Sequence, residues 1–340
     1  MADWAALFVG INNYPTGYKL KHAVSDAMRL SEALGYENFP KNTLYLSPTP
    51  QGSDKYRLHR SQETITEEGL RDNIKTLMKA EQPNIMFYFS GHANMDWETG
   101  EGYLKTPDQF GNNKGYPFSE LMKEAKKAAE NNSNVFIILD ACQSGGVGEE
   151  ESGNSSLPKN ITIMAASRTF EDALEEYGLG GVFTRLLIEG LKGGAADLAG
   201  RITAPSLYTY VDTMLTNLHQ RPVFKTNVAR MLTLKEIETT LPVSTLRNLP
   251  KLFKEETSII ILDPGYEPTC RDELPAKYQN TVRNDRKVED YEQFRHLNRH
   301  GMLVPIGTEF LYYAAFENKG VQLTELGRMY HKLGKMGALG

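Results

Sequence analysis

Two side chains in this sequence combine reactive chemistry with a telling position: Cys142 in "FIILDACQSGG" and His92 in "FYFSGHA". A thiolate is a strong nucleophile, and a histidine beside it can take the thiol proton and pass it to a leaving group, which is the pairing of acyl-transfer catalysis. Each residue follows a run of apolar β-formers and falls just past its end. Gly145 and Gly146 let the backbone bend closely around a substrate, and the Cys142 amide can point at the carbonyl oxygen under attack. A single cysteine after a strand is more often a buried structural residue. A single histidine is usually a satisfied core or surface group. The occurrence of both at matching strand ends is what favours the catalytic reading.

The elements that must position these residues alternate along the chain. "AALFVGIN", "NTLYLSP", "NIMFYFS", "NVFIILD" and "ITIMAAS" read as short buried strands. Between them, "LKHAVSDAMRLSEALGY" carries Ala23, Ala27, Leu30 and Leu34 at helical spacing, with Gly35 as C-cap. "SQETITEEGLRDNIKTLMKAEQ" and "SELMKEAKKAAENN" are further amphipathic helices, and "GGVFTRLLIEGLKGG" and "SLYTYVDTMLTNLHQ" follow before an edge strand "RPVFKT". Strand–helix alternation implies right-handed crossovers and a mostly parallel sheet covered on both faces, with ligands bound at the carboxyl ends of the strands. His92 and Cys142 both belong at that edge. Beyond about residue 232 the pattern is less regular and interrupted by proline. The expected organisation is one large α/β domain over residues 1–232 and a small α+β module over 233–340.

The 340 residues include 40% hydrophobic and 24% charged, which excludes a disordered or collagenous chain. A net charge of −5 offers no overall attraction to nucleic acid or anionic membrane, so neither is an expected partner. The two cysteines, Cys142 and Cys270, fit neither a disulfide framework nor zinc-ligand spacing, and no metal site is expected. "MADWAALFVG" lacks the pattern of a secretory leader. A cytoplasmic location is the expectation.

The pieces "ALFVGINNY", "AVSDA", "FYFSGHA", "LDACQSG", "MAAS", "GVFTRLLIEGL" and "RITAPSLYTYV" occur in an order that resembles the caspase-like cysteine peptidases, and within them the metacaspases and orthocaspases. The separation of His92 from Cys142 is also that of caspase-type enzymes. The resemblance implies a caspase-hemoglobinase fold with a six-stranded sheet, Cys142 as nucleophile and His92 as general acid/base. It further implies an oxyanion hole of the Cys142 and Ala93 amides, with Ala93 standing where many relatives have glycine, and a backbone strand at Ala166 and Ser167 for an extended substrate. Asp140 and Asp26 match the two metacaspase pocket acids. Two carboxylates at the bottom of a pocket favour Arg, then Lys, at P1 and repel acidic side chains. Separately, each carboxylate has a plain alternative: Asp26 as a solvated or capping charge, Asp140 as a turn residue bonded to backbone amides.

Protein substrates with basic P1 residues are the expected partners. The chemistry requires no cofactor. Calcium, used by some metacaspases, has a candidate in Glu149–Glu151, for which a solvated acidic loop is the alternative, whereas "ADLAGRIT" lacks regularly spaced oxygen ligands. Lys159 is the one basic residue between Cys142 and the next strand, hence the one self-cleavage candidate; activation without loop cleavage is expected. In the C-terminal module, Arg283, Arg286, Arg295 and Arg299 are read either as a solvated face alternating with acids or as a site for an anionic ligand. The architecture resembles effectors of antiviral defence, silent until a nucleotide-type signal or regulatory protein binds. A catalytically silent scaffold or sensor of the same fold is the alternative.

Overall fold

The first strand, β1 (Trp4–Ile11), is buried along its whole length, which requires a sheet covered on both faces. The computed structural model describes residues 3–15, 17–35, 41–48, 64–96, 98–109, 115–131, 133–141, 157–166, 175–176, 180–215, 222–269, 273–274, 276–280 and 282–339. After β1 come α1 (Ala23–Leu34), β2 (Lys41–Ser47), α2 (Glu67–Met78) and β3 (Asn84–Ser90). Three short strands follow, β4 (Ala93–Met95), β5 (Gly102–Leu104) and β6 (Tyr116–Pro117), then α3 (Phe118–Glu130), β7 (Asn134–Asp140) and β8 (Ile161–Ala165). The two-residue strands β9 (Glu175–Glu176) and β10 (Gly180–Gly181) lead into α4 (Val182–Glu189), β11 (Arg201–Thr203), α5 (Ala204–Leu215), β12 (Val223–Asn227) and β13 (Thr233–Glu236).

Six strands make one sheet in the order β12-β8-β7-β3-β1-β2. All neighbours are parallel except the β12 edge, which runs antiparallel to β8. Side-chain alternation splits each strand between two cores. Phe8, Tyr88, Phe136 and Ile138 pack with Leu30, Phe183, Leu187 and Leu207 of α1, α4 and α5. Leu7, Val9, Phe87 and Ile137 pack with Leu70, Ile74, Leu121 and Ala125 of α2 and α3. Each such apolar side chain contributes about 1.5–3 kcal/mol when fully buried.

Local chemistry sets the helix ends. Thr66 accepts the Gly69 N–H at the start of α2, and Glu67 and Glu68 occupy its first turn, where the helix dipole favours acids. Gly35 closes α1 at φ 85° and donates to the Glu32 carbonyl, the cap expected from the sequence. The β4-β5-β6 sheet went unseen in the sequence because its two- and three-residue strands are too short for an alternating pattern to stand out.

Gly10, near the carboxyl end of β1, is where α1 comes closest to the sheet. A Cβ there would sit 2.5 Å from the Ala23 carbonyl oxygen and 2.8 Å from the Val24 Cα. Backbone on the helix has no rotamer with which to yield. Gly10→Ala is therefore expected to cost about 1–3 kcal/mol, read as a lowered thermal midpoint, and an unchanged midpoint would show that α1 can shift freely.

Beyond β13 the chain forms α6 (Val243–Leu252), β14 (Ile259–Ile261), α7 (Asp285–Arg299), β15 (Leu303–Ile306), α8 (Leu311–Phe316), β16 (Gly320–Leu323) and α9 (Glu325–Lys335). Its antiparallel sheet has the order β14-β16-β15, and its core holds Leu246, Leu249, Phe253, Phe294, Leu297 and Tyr330. β13 pairs with β11, and Leu234 packs into the first unit's core. The first compact unit runs on through Ile237, with Leu198–Gly200 grouped with the second unit.

Candidate active site

Parallel pairing of β3 with β7 puts Ser90 opposite Asp140, and the Gly91 N–H donates to the Asp140 carbonyl at 3.3 Å. His92 thus lies two residues beyond a register point whose partner strand runs on toward position 142. Cys142 itself lies outside the described residues, as do Ser167, Cys270 and Glu149–Glu151.

His92 is held from three directions. Its N–H donates to the Tyr14 hydroxyl at 3.0 Å, and that hydroxyl donates to the Lys105 carbonyl at 3.0 Å. The Tyr14 ring meets the imidazole edge-on, centroids 4.6 Å apart at 65°. Nε2 lies 2.8 Å from the Tyr18 carbonyl oxygen. A carbonyl only accepts, so Nε2 carries the hydrogen and Nδ1 is the basic nitrogen of the neutral ring. Tyr14 is 3% exposed, and burial pushes its phenol well above the ordinary range, keeping it a neutral donor.

Asn12, which follows β1, anchors the chain next to Tyr14, whose N–H donates to the Asn12 carbonyl at 3.0 Å. The Asn12 N–H donates to the Ser47 carbonyl at 2.7 Å, its side-chain oxygen accepts the Val24 N–H at 3.1 Å, and its side-chain nitrogen donates to the Lys21 carbonyl at 3.2 Å. One side chain thereby stitches the end of β1 to the start of α1. Neither Asn12 nor the two tyrosines was singled out in the sequence, although an Asn directly after a buried strand is a recognisable turn signal.

Ala93 opens β4 opposite Leu104. The Lys105 N–H donates to the His92 carbonyl, which makes Ala93–Leu104 a non-hydrogen-bonded pair and turns the Ala93 amide away from β5. Ala93 has no positive φ, so its methyl group in place of glycine brings no backbone strain. Ala166 is fully buried and its N–H donates to the Leu139 carbonyl at 2.8 Å, so that donor is used within the sheet.

The two acids singled out in the sequence come together. Asp26 on α1 is 2% exposed and Asp140 at the end of β7 is 9% exposed. The Gly181 N–H donates to Asp26 Oδ2 at 3.0 Å, and the Thr184 hydroxyl donates to Asp140 Oδ2. A Cβ on Gly181 would lie 2.8 Å from Asp140 Oδ2 and 3.3 Å from Asp26 Oδ2. Both carboxylates therefore converge on the Gly181 backbone at the start of α4, too closely for a Cβ to be added without a shift. Tyr88 reaches the same place from β3, its hydroxyl 2.7 Å from Thr184 Oγ1. Burial first, then the charges of Asp140 and Asp26, holds its phenol far above the usual range. Gly181 and Thr184 carried no sequence signal of their own beyond the motif "GVFT", nor Tyr88 beyond "FYFSGHA".

Lys159 is exposed in the turn before β8, and the bond after it is tied down: the Asn160 N–H donates to the Asn227 carbonyl at 2.6 Å and the Asn160 carbonyl accepts from Val135 at 2.8 Å. Arg283 pairs with Asp285 at 3.1 Å and Arg295 with Glu292 at 2.8 Å. Arg286 and Arg299 are exposed, in the first and last turns of α7.

Among the described residues no group of three or more His, Cys, Asp or Glu could hold a metal ion. In "ADLAGRIT" the Asp197 carboxylate is spent on Arg201, accepting from its N–H at 2.9 Å and its Nε at 3.1 Å, so these residues do not fit a calcium loop. No helix among the described residues is long and apolar enough to cross a membrane.

Comparison with curated protein sequences returned no match. Among solved structures the chain is similar to the crystal structure of caspase-1 from Spodoptera frugiperda, at 14% identity and a TM-score of 0.47, covering 70% of this chain and 92% of that one. The family profile for the caspase domain matches residues 4–233, the whole span that carries the six-stranded sheet and both clusters around His92 and Gly181. The chain belongs to the caspase-domain family, the caspase-like cysteine peptidases.

Proposed function

We propose that this chain is a cysteine endopeptidase that cleaves after Arg, and less well after Lys. The observation that carries the specificity is the convergence of Asp26 and Asp140 on the Gly181 backbone. A guanidinium presents donors in a planar fork to two carboxylates, whereas an ammonium is a compact point charge and an acidic side chain is repelled.

The reaction follows from the groups at the sheet edge. His92 Nδ1 takes the proton of the Cys142 thiol, and the thiolate attacks the carbonyl carbon of the P1 residue. The Tyr18 carbonyl steadies the imidazolium through Nε2–H. The amides of Ala93 and Cys142 receive the developing oxyanion. As the tetrahedral adduct collapses, the amine leaves with the proton from His92, and a water molecule activated by the same imidazole hydrolyses the thioester. The second unit is read as a regulatory module with its own core.

A panel of fluorogenic peptides varied only at P1 tests the specificity. Arg is expected to give the highest kcat/KM, Lys less, citrulline little and Asp none. Preferred cleavage after Asp would end this reading.

A further inference from the structure

Both pocket acids are held by one element. The Gly181 N–H and the Thr184 hydroxyl, three residues apart where α4 begins, each donate to one of them. Thr184 is fully buried, as is Tyr88. Its single hydroxyl hydrogen is spent on Asp140, so the 2.7 Å contact with Tyr88 has only one polarity: the tyrosine hydroxyl donates to Thr184 Oγ1. A buried relay therefore runs from Tyr88 through Thr184 to Asp140, and it stays intact only while the receiving carboxylate oxygen is an acceptor.

Resting on the endopeptidase reading above, we propose that Thr184 is a positioning residue for P1 recognition. Polarised by Tyr88, it fixes the orientation of Asp140 so that the ionised carboxylate is presented to a basic P1 side chain. Thr184 acts through Asp140 and touches no reacting atom. Removing it should weaken binding of the cationic side chain and spare the chemistry at Cys142. A hydrogen bond donated to the charged form of a carboxylate also favours that form, so its loss moves the acid limb of kcat/KM toward higher pH.

The test uses the full chain and P1-Arg, P1-Lys and P1-citrulline peptides. Thr184→Val, which keeps the shape and removes the hydroxyl, is expected to raise KM for P1-Arg roughly tenfold with kcat within about twofold. It should also shift the acid limb of the pH profile upward. Thr184→Ser should restore both. Should the valine variant not fold, Tyr88→Phe serves in its place: it removes the polarising donor and is expected to raise the same KM by about threefold. The proposal is overturned if either folded variant keeps the wild-type KM and acid limb, or if serine is no better than valine. Failure of the underlying reading looks different, because wild type itself would then show no preference for Arg over citrulline and Asp140→Asn would change nothing.

Discussion

His92→Ala is expected to lower kcat at least roughly a thousandfold, while KM for a P1-Arg peptide stays within a few-fold. In the proposed mechanism the imidazole takes part in proton transfer twice, once from the thiol and once to the departing amine. Its placement is tight: backbone N–H on Tyr14, ring edge on the Tyr14 ring, Nε2 on the Tyr18 carbonyl. Alanine leaves the backbone bonds in place, so the fold should survive and the melting temperature should change little. Steady-state kinetics together with the pH dependence of Cys142 alkylation provides the check. Wild-type kcat in the alanine variant would remove His92 from the chemistry.

The second large effect concerns the acids. Asp140→Asn and Asp26→Asn are each expected to reduce kcat/KM for P1-Arg by roughly a hundredfold, equivalent to about 2.7 kcal/mol, the scale of a hydrogen bond to a charged group in a buried site. Asparagine keeps the size and can still accept from Thr184 or Gly181, so the loss isolates the charge. The deficit should lie mainly in KM, and cleavage after citrulline should hold steady, narrowing the Arg-to-citrulline ratio. Because the two carboxylates converge beside Gly181, their effects should not add: the double variant is expected to fall short of the product of the single ones. Unchanged discrimination in both variants would take P1 recognition away from this pocket. Gly181 supplies an independent handle, since any Cβ there meets Asp140 Oδ2 at 2.8 Å and would push that carboxylate out of position.

These outcomes depend on features that differ in how far the sequence alone discloses them. Apolar runs such as "FIILD" and "IMFYF" reveal buried strands because a strand covered on both faces has no polar positions to spare. Amphipathic spacing likewise reveals α1, α2 and α3, and capping residues such as Thr66 and Gly35 mark where two of them start or stop. That His92 follows a strand end is legible for the same reason. Asp26 and Asp140 could be singled out only because the surrounding motifs resemble a family, since a charge on a helix and a charge in a turn look ordinary by themselves.

Other features had no local signature. The Gly181–Asp26 bond joins residues 155 apart in sequence, and Thr184–Asp140 joins residues 44 apart. Their meeting depends on the angle at which α4 packs beside α1 and on the register of β3 against β7. Arg283 and Arg295 illustrate the converse, residues of a suggestive cluster that each pair with an acid two or three positions away. By itself, then, the sequence determined the alternation of strands and helices and the sheet edge where a nucleophile and a base belong, because periodicity records which faces are buried. Only the tertiary structure decided which neutral donors hold each carboxylate, which nitrogen of His92 is the base, and where the first unit ends. Such contacts are set by crossover packing between distant segments, and single-residue chemistry leaves no trace of them along the chain.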